Sequence, residues 1–240
     1  MKSLKYNILC LLLLCQIIYA NVAQELVKSE FRVFPVSHFD YDGIFYRPAP
    51  EAEMSEIRFR PRARSLDSYS YQGPETLVFY RKDGRDHEGF MQYRPVAQVA
   101  VKAPELLVFF APKNTNGKRI TKFSLLGMDD SPSALPADHV TFLNFTKVPF
   151  ACRFMDKNLT IRPGPNAPIS VRSQLAKDVL LGMAITNNES HRVVLKSRWQ
   201  FHPDNRHYVL LLPPAREGSF RIRAFQISQY VGSDQRFTNR

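Results

Sequence analysis

Four arginines at alternate positions, Arg58, Arg60, Arg62 and Arg64, are the sharpest charge feature of this 240-residue sequence. On an extended segment that spacing sets all four guanidinium groups on one face, with Ile57 and Phe59 on the other. Such a strip suits anionic ligands, phosphate-bearing envelope glycans or lipid headgroups among them, because the planar fork matches phosphate and carboxylate. A solvated strand face that guards a sheet edge is the plainer explanation of the same pattern. Pro61 ends pairing within the series and places Arg62 and Arg64 toward a loop.

The other reactive side chains do not assemble by spacing. Asp40-Tyr41-Asp42-Gly43 is half of a calcium loop without its downstream acid. The cluster Asp83-Gly84-Arg85-Asp86-His87-Glu88 holds possible ligands, but its Asp-Gly reads better as a hairpin turn between Phe79-Tyr80 and Phe90-Met91. Cys152 is followed by Met155 with no nearby histidine, so a blue-copper site fails. There is no Gly-x-Ser-x-Gly elbow, and Gly127 to Ser131 offers acids without a base. The six histidines, at 38, 87, 139, 191, 202 and 207, are dispersed beside turn residues or charges. No cofactor, metal or catalytic residue is expected from these patterns. Tyr69 and Tyr71 share a face, as sugar platforms do, yet inward packing explains them equally, and Trp199 reads as core. Sequons at Asn144, Asn158 and Asn188 fall largely in or beside apolar strands and read as chance.

The ends set the compartment. Lys2 and Lys5 precede an apolar stretch from Ile8 to Ala20, short of the ~20 residues a spanning helix needs. Residues 1–20 therefore read as a removable export signal, with cleavage as late as Ala23. Its removal lowers Lys+Arg from 33 to 31 against 22 acids, a formal +9, and leaves Cys152 as the only cysteine. An exported chain without a disulfide fits a bacterial periplasm or envelope better than an animal extracellular module. Nucleic acid fits the charge but not the export signal, and no nucleic-acid motif appears. No later segment is apolar and long enough to span a bilayer, so no transmembrane segment is expected.

The elements that must position any site are strands. Phe31 to Phe34, Ile57 to Arg60, Thr76 to Tyr80, Val96 to Val101, Leu106 to Phe110 and Arg119 to Leu126 have strand length and chemistry. A second set follows: Val140 to Phe145, Leu159 to Arg162, Val179 to Ile185, Arg192 to Phe201, Tyr208 to Leu212 and Ser219 to Ile227. Leu106 to Phe110 is a continuous apolar run, suited to burial on both faces. Residues 24–30 read as a brief helix or linker, and 231–240 as a polar tail. From Ile57 onward the two halves superpose without a gap at an offset of 102 residues, Ile57 falling on Leu159 and Arg60-Pro61 on Arg162-Pro163. In each, an apolar strand runs into a proline (Pro112, Pro214), and the next strand carries Arg-Ile-x-x-Phe. The expected fold is all-β: two tandem antiparallel Ig-like β-sandwiches over 28–127 and 128–230, divided at the turn-rich Asp129 to Ser133.

In this organisation the mature chain resembles the secreted tandem Ig-like β-sandwich proteins of bacterial envelopes. The resemblance lies in the strand Val140-Thr-Phe-Leu-Asn-Phe-Thr and the later Arg162-Pro-Gly turn. It implies a non-catalytic envelope protein, binding or structural, whose partner is another envelope protein or an anionic glycan. Arg58, Arg60, Arg62 and Arg64 are then the candidate binding residues. The competing expectation is a polysaccharide-active enzyme with its site between the two sandwiches.

Overall fold

Runs rich in Phe, Val, Leu and Tyr, bounded by Pro, Gly and Asp, favour the pleated, half-buried backbone of a sheet over a helix. A computed structural model describes residues 26–37, 41–61, 63–116, 119–187, 190–216 and 218–231. Residues 1–25, which include the expected export signal, Arg62 and the residues beyond 231 lie outside the described residues. Within them the sole helical element is a 3-10 turn at Arg172–Gln174, and everything else regular is strand.

Eight strands come first: β1 (Val27–Pro35), β2 (Phe45–Tyr46), β3 (Ser55–Glu56), β4 (Tyr69–Gly73), β5 (Thr76–Arg85), β6 (Met91–Ala100), β7 (Glu105–Asn116) and β8 (Arg119–Asp129). They make two four-stranded sheets, ordered β4-β1-β7-β8 and β3-β2-β5-β6. All pairs are antiparallel except β1 with β7. Between the sheets lies an aromatic core in which Phe79 meets Phe31 and Phe110 edge to face, at centroid separations of 6.0 and 4.9 Å. Pro95, which has no amide to donate, sits in β6 at the outer edge of its sheet, where a ladder bond is not required.

Nine strands follow: β9 (His139–Asn144), β10 (Phe150–Phe154), β11 (Lys157–Ile161), β12 (Gly164–Pro165), β13 (Ile169–Ser170), β14 (Asp178–Asn187), β15 (Ser190–Gln200), β16 (Asn205–Leu212) and β17 (Arg223–Tyr230). Their sheets are β11-β10-β14-β15 and β12-β9-β16-β17, with β13 also on β9. Again one pair is parallel, β9 with β16, and again the two sheets enclose a core, here around Phe142, Phe154 and Phe201.

A third core joins these sets. In β7, Leu106, Val108 and Phe110 face the first core, while Leu107, Phe109 and Ala111 face the opposite way. In β16, Val209 and Leu211 face the second core, and Tyr208, Leu210 and Leu212 turn away from it. The outward sets meet each other, with the Phe109 and Tyr208 rings 5.5 Å apart. Four sheets are thus stacked, and β7 and β16 are buried on both faces. That is the physical reason for their uninterrupted apolar sequences.

The strand pairing sharpens the 102-residue correspondence. β5 and β14 begin and end at that offset, at 76–85 and 178–187. The first strands do not follow it: Phe31 pairs with Leu106 but Thr141 with Tyr208, so β9 lies 110 residues after β1 and eight residues out of register. Other expectations shift locally. Residues 27–30 are strand, part of β1, not helix. Ile57 to Arg60 joins no ladder beyond an Arg60–Ala63 bridge, although Ile57 is buried. Asp83-Gly84 is not the hairpin tip: Gly84 (φ 102°) sits in a bulge and the chain turns at Asp86 to Gly89, where the Asp86 carboxylate accepts from the Glu88 and Phe90 amides. The last strand starts at Arg223, later than its pattern indicates.

Candidate groove at the open end of the inter-sheet core

At one end the third core is not closed. There Ala111, Leu126 and Leu212, which continue the rows of Phe109 and Leu210, form the floor of a groove of about 800 Å³. The loop after β9 supplies Phe145 and Val148, and β14 supplies Ile185. The two prolines of the sequence repeat both line it: Pro112, which lies within β7 rather than ending it, and Pro214, just past the end of β16. The repeated proline of the sequence therefore meets its counterpart on one cleft.

Local hydrogen bonds fix its rim. Asn144 is buried, accepts from the Thr146 amide at 2.9 Å and donates to the Val148 carbonyl at 2.9 Å, which ties down the loop carrying Lys147. Asn166 accepts from the Arg162 amide and donates to the Arg162 and Gly164 carbonyls at 2.9 and 3.1 Å, shaping the Arg-Pro-Gly turn. Gly164 has φ of 90°, a conformation that only glycine adopts freely. On the far side the Arg192 guanidinium lies 3.3 Å from the Phe220 ring centre, holding a half-exposed aromatic at the groove edge.

The charge lining the groove is of one sign. Lys113, Lys147 and Arg223 lie on it, all solvent-exposed, and Arg223 Nε donates to the Pro213 carbonyl at 3.0 Å. None of the described lining residues is an acid, a histidine or a cysteine. Its described lining offers apolar surface and positive potential, with the hydroxyls of Ser124, Thr146 and Ser219 as its uncharged side-chain donors beside Asn144.

The four arginines of the sequence strip separate. Arg58 and Arg60 are exposed, Arg62 lies outside the described residues, and a turn at Pro61 breaks the extended run. Arg64 turns inward and forms an ion pair with Asp130. Burial, with the nearby Arg32 charge, pushes Arg64 down to about 10, so it stays charged at neutral pH. Asp130 also receives Arg206, and all three groups sit where the third core meets the segment joining β8 to β9. Arg64 thus acts as a tie between strands, and the alternation rule does not describe it.

Elsewhere the inward readings hold. Tyr69 and Tyr71 are buried in the first core, and the Tyr69 hydroxyl accepts from the Arg58 amide at 2.9 Å. Trp199 packs half-buried against the second core. Cys152 is buried and free, and desolvation pushes its thiol up to about 12. Of the sequon asparagines, Asn144 is enclosed and Asn158 exposed, while Asn188 lies outside the described residues, as do His38 and Asp40. Among the described residues no group of three or more His, Cys, Asp or Glu gathers as a metal site would require. Lys113, Lys147 and Arg223 escaped the sequence reading because they are single charges far apart in the chain. The one available signal was the repeated proline, Pro112, next to Lys113. Among the described residues no helix is long and apolar enough to cross a membrane. No protein-family model matches the chain, and no curated protein matches it.

Proposed function

We propose that this chain is an exported, non-catalytic envelope protein of two tandem Ig-like sandwiches that binds an anionic envelope component, a partner protein or a surface polymer. The observation that carries the reading is the groove, apolar on its floor, cationic on its rim and without a carboxylate among its described residues. The formal surplus of positive charge favours the same class of ligand. Residues of β7 and β16, one strand from each half, converge there, so ligand binding would engage both sandwiches at once.

The competing reading is a polysaccharide-active enzyme working between the sandwiches. Glycoside hydrolysis ordinarily needs two carboxyl groups about 5–9.5 Å apart, and the groove's described lining supplies neither of them.

Capture from an envelope extract at low and at high salt tests the proposal. Binding of an anionic component that is lost at high salt and absent from a Lys113→Glu/Lys147→Glu variant supports it. Equal capture by that variant, or turnover of a polysaccharide by the native protein, refutes it.

A further inference from the structure

Resting on that reading, we infer that the groove takes a single-chain anionic amphiphile, its acyl chain on the apolar floor and its head between Lys113 and Lys147. Two observations select this class. The floor is continuous with the third core, so a chain lying on it extends a surface already built for apolar contact. The charged lining residues, Lys113, Lys147 and Arg223, are all cations, which favours a negative head over a neutral or positive one.

Backbone chemistry argues against an extended peptide on the same floor. A peptide brings a donor and an acceptor with nearly every residue, and each must be matched when buried. Pro112, Pro163, Pro213 and Pro214 have no amide to offer. The Phe145 amide donates to the Leu211 carbonyl at 2.8 Å, and the Thr146 and Val148 amides donate to the Asn144 and Thr146 side chains. β9 is paired with β12 and β16, while β7 beyond Phe110 is paired with β8 alone and Leu212 of β16 with β17 alone. An acyl chain asks for none of these bonds. β8, β12 and β17, each outermost in its sheet, are the walls where a peptide could add main-chain bonds, and they set the rival outcome of the test.

Titration of the full chain with 11-(dansylamino)undecanoic acid, followed by displacement with unlabelled fatty acids, reads the inference directly. Saturable binding is expected, with displacement that strengthens roughly two- to fourfold per added methylene. Cetyl alcohol should compete about tenfold less well than palmitate. Val148→Trp, at an exposed position on the lining, should abolish binding, and Lys113→Glu/Lys147→Glu should weaken it about tenfold. Ser124→Trp fills the same space from β8 and should act as Val148→Trp does, whereas Leu180→Trp on an exposed strand position should leave binding intact. Absence of saturable binding overturns the inference, as does indifference to both groove-filling variants. Equal competition by alcohol and acid, or displacement by an acidic peptide but not by palmitate, also overturns it. Salt-labile envelope capture that persists without acyl binding would defeat the amphiphile alone and leave the broader binding reading standing.

Discussion

Arg206 and Asp130 meet almost entirely out of water: the guanidinium donates to the Asp130 carbonyl at 2.8 Å and to its carboxylate at 3.4 Å, with side-chain exposures of 3% and 2%. Arg64 reaches the same carboxylate from the first half of the chain, 66 residues earlier. One acid therefore serves two cations at the point where the two sets of sheets join. Removing it strands two buried or half-buried charges, so Asp130→Asn should cost about 3–5 kcal/mol in chemical denaturation. Arg64→Ala, at a more exposed site, should cost clearly less than Asp130→Asn. If Asp130→Asn is neutral, the cluster does not tie the halves together.

The third core makes a related prediction about cooperativity. Phe109 is fully buried between β7 and β16 and touches Tyr208 rather than the core of its own sandwich. Phe109→Ala should cost about 3–5 kcal/mol. Phe109→Asp should split one calorimetric transition into two, because each set of sheets keeps its own core. A native protein that already melts in two well-separated steps would contradict the importance given to this interface.

Stability should also depend on one buried histidine. The His207 ring is enclosed, with Nε2 3.2 Å from the His202 carbonyl and Nδ1 2.9 Å from Ser228 Oγ. A carbonyl cannot donate, so Nε2 carries the proton and Nδ1 accepts from the serine. Burial lowers the His207 pKa below its ordinary 6.5. As pH falls through that value the unfolded chain takes up a proton that the folded chain refuses, so stability is full above it and declines below. The melting temperature should drop between about pH 7 and pH 5, and His207→Gln should flatten that drop. An unchanged slope in the variant would assign it to other groups.

Much of the scaffold was legible because burial writes itself into alternation. Tyr69 and Tyr71 and the two-sided run Leu106 to Phe110 carry their environment in their spacing. Arg64 shows where that legibility stops: its inward turn depends on Asp130, and no local pattern connects positions so far apart. The groove was hidden for the same reason, since Lys113, Lys147 and Arg223 become neighbours only when β7, β9 and β17 are stacked. The 102-residue correspondence does not extend to β1 and β9, whose parallel pairing with β7 and β16 is offset by eight further residues.

Cys152 offers a simple check on the second core. A buried thiol pushed up to about 12 is almost entirely protonated at pH 8 and shielded from solvent. A folded chain lacking residues 1–20, in which Cys152 is the one cysteine, should resist thiol-specific labelling, and denaturant should release one reactive group. Rapid labelling without denaturant would show that the sheet carrying Cys152 opens readily.

Placing a photoreactive benzoylphenylalanine at Val148, in the groove, and separately at Leu180, on an exposed strand position, tests the binding site most directly. After irradiation in envelope extract, the expected result is an adduct at position 148, suppressed by high salt and by Lys113→Glu/Lys147→Glu, with none at 180. Equal adducts at both positions, or an adduct at 180 alone, would contradict the assignment of the groove as the place where this protein binds.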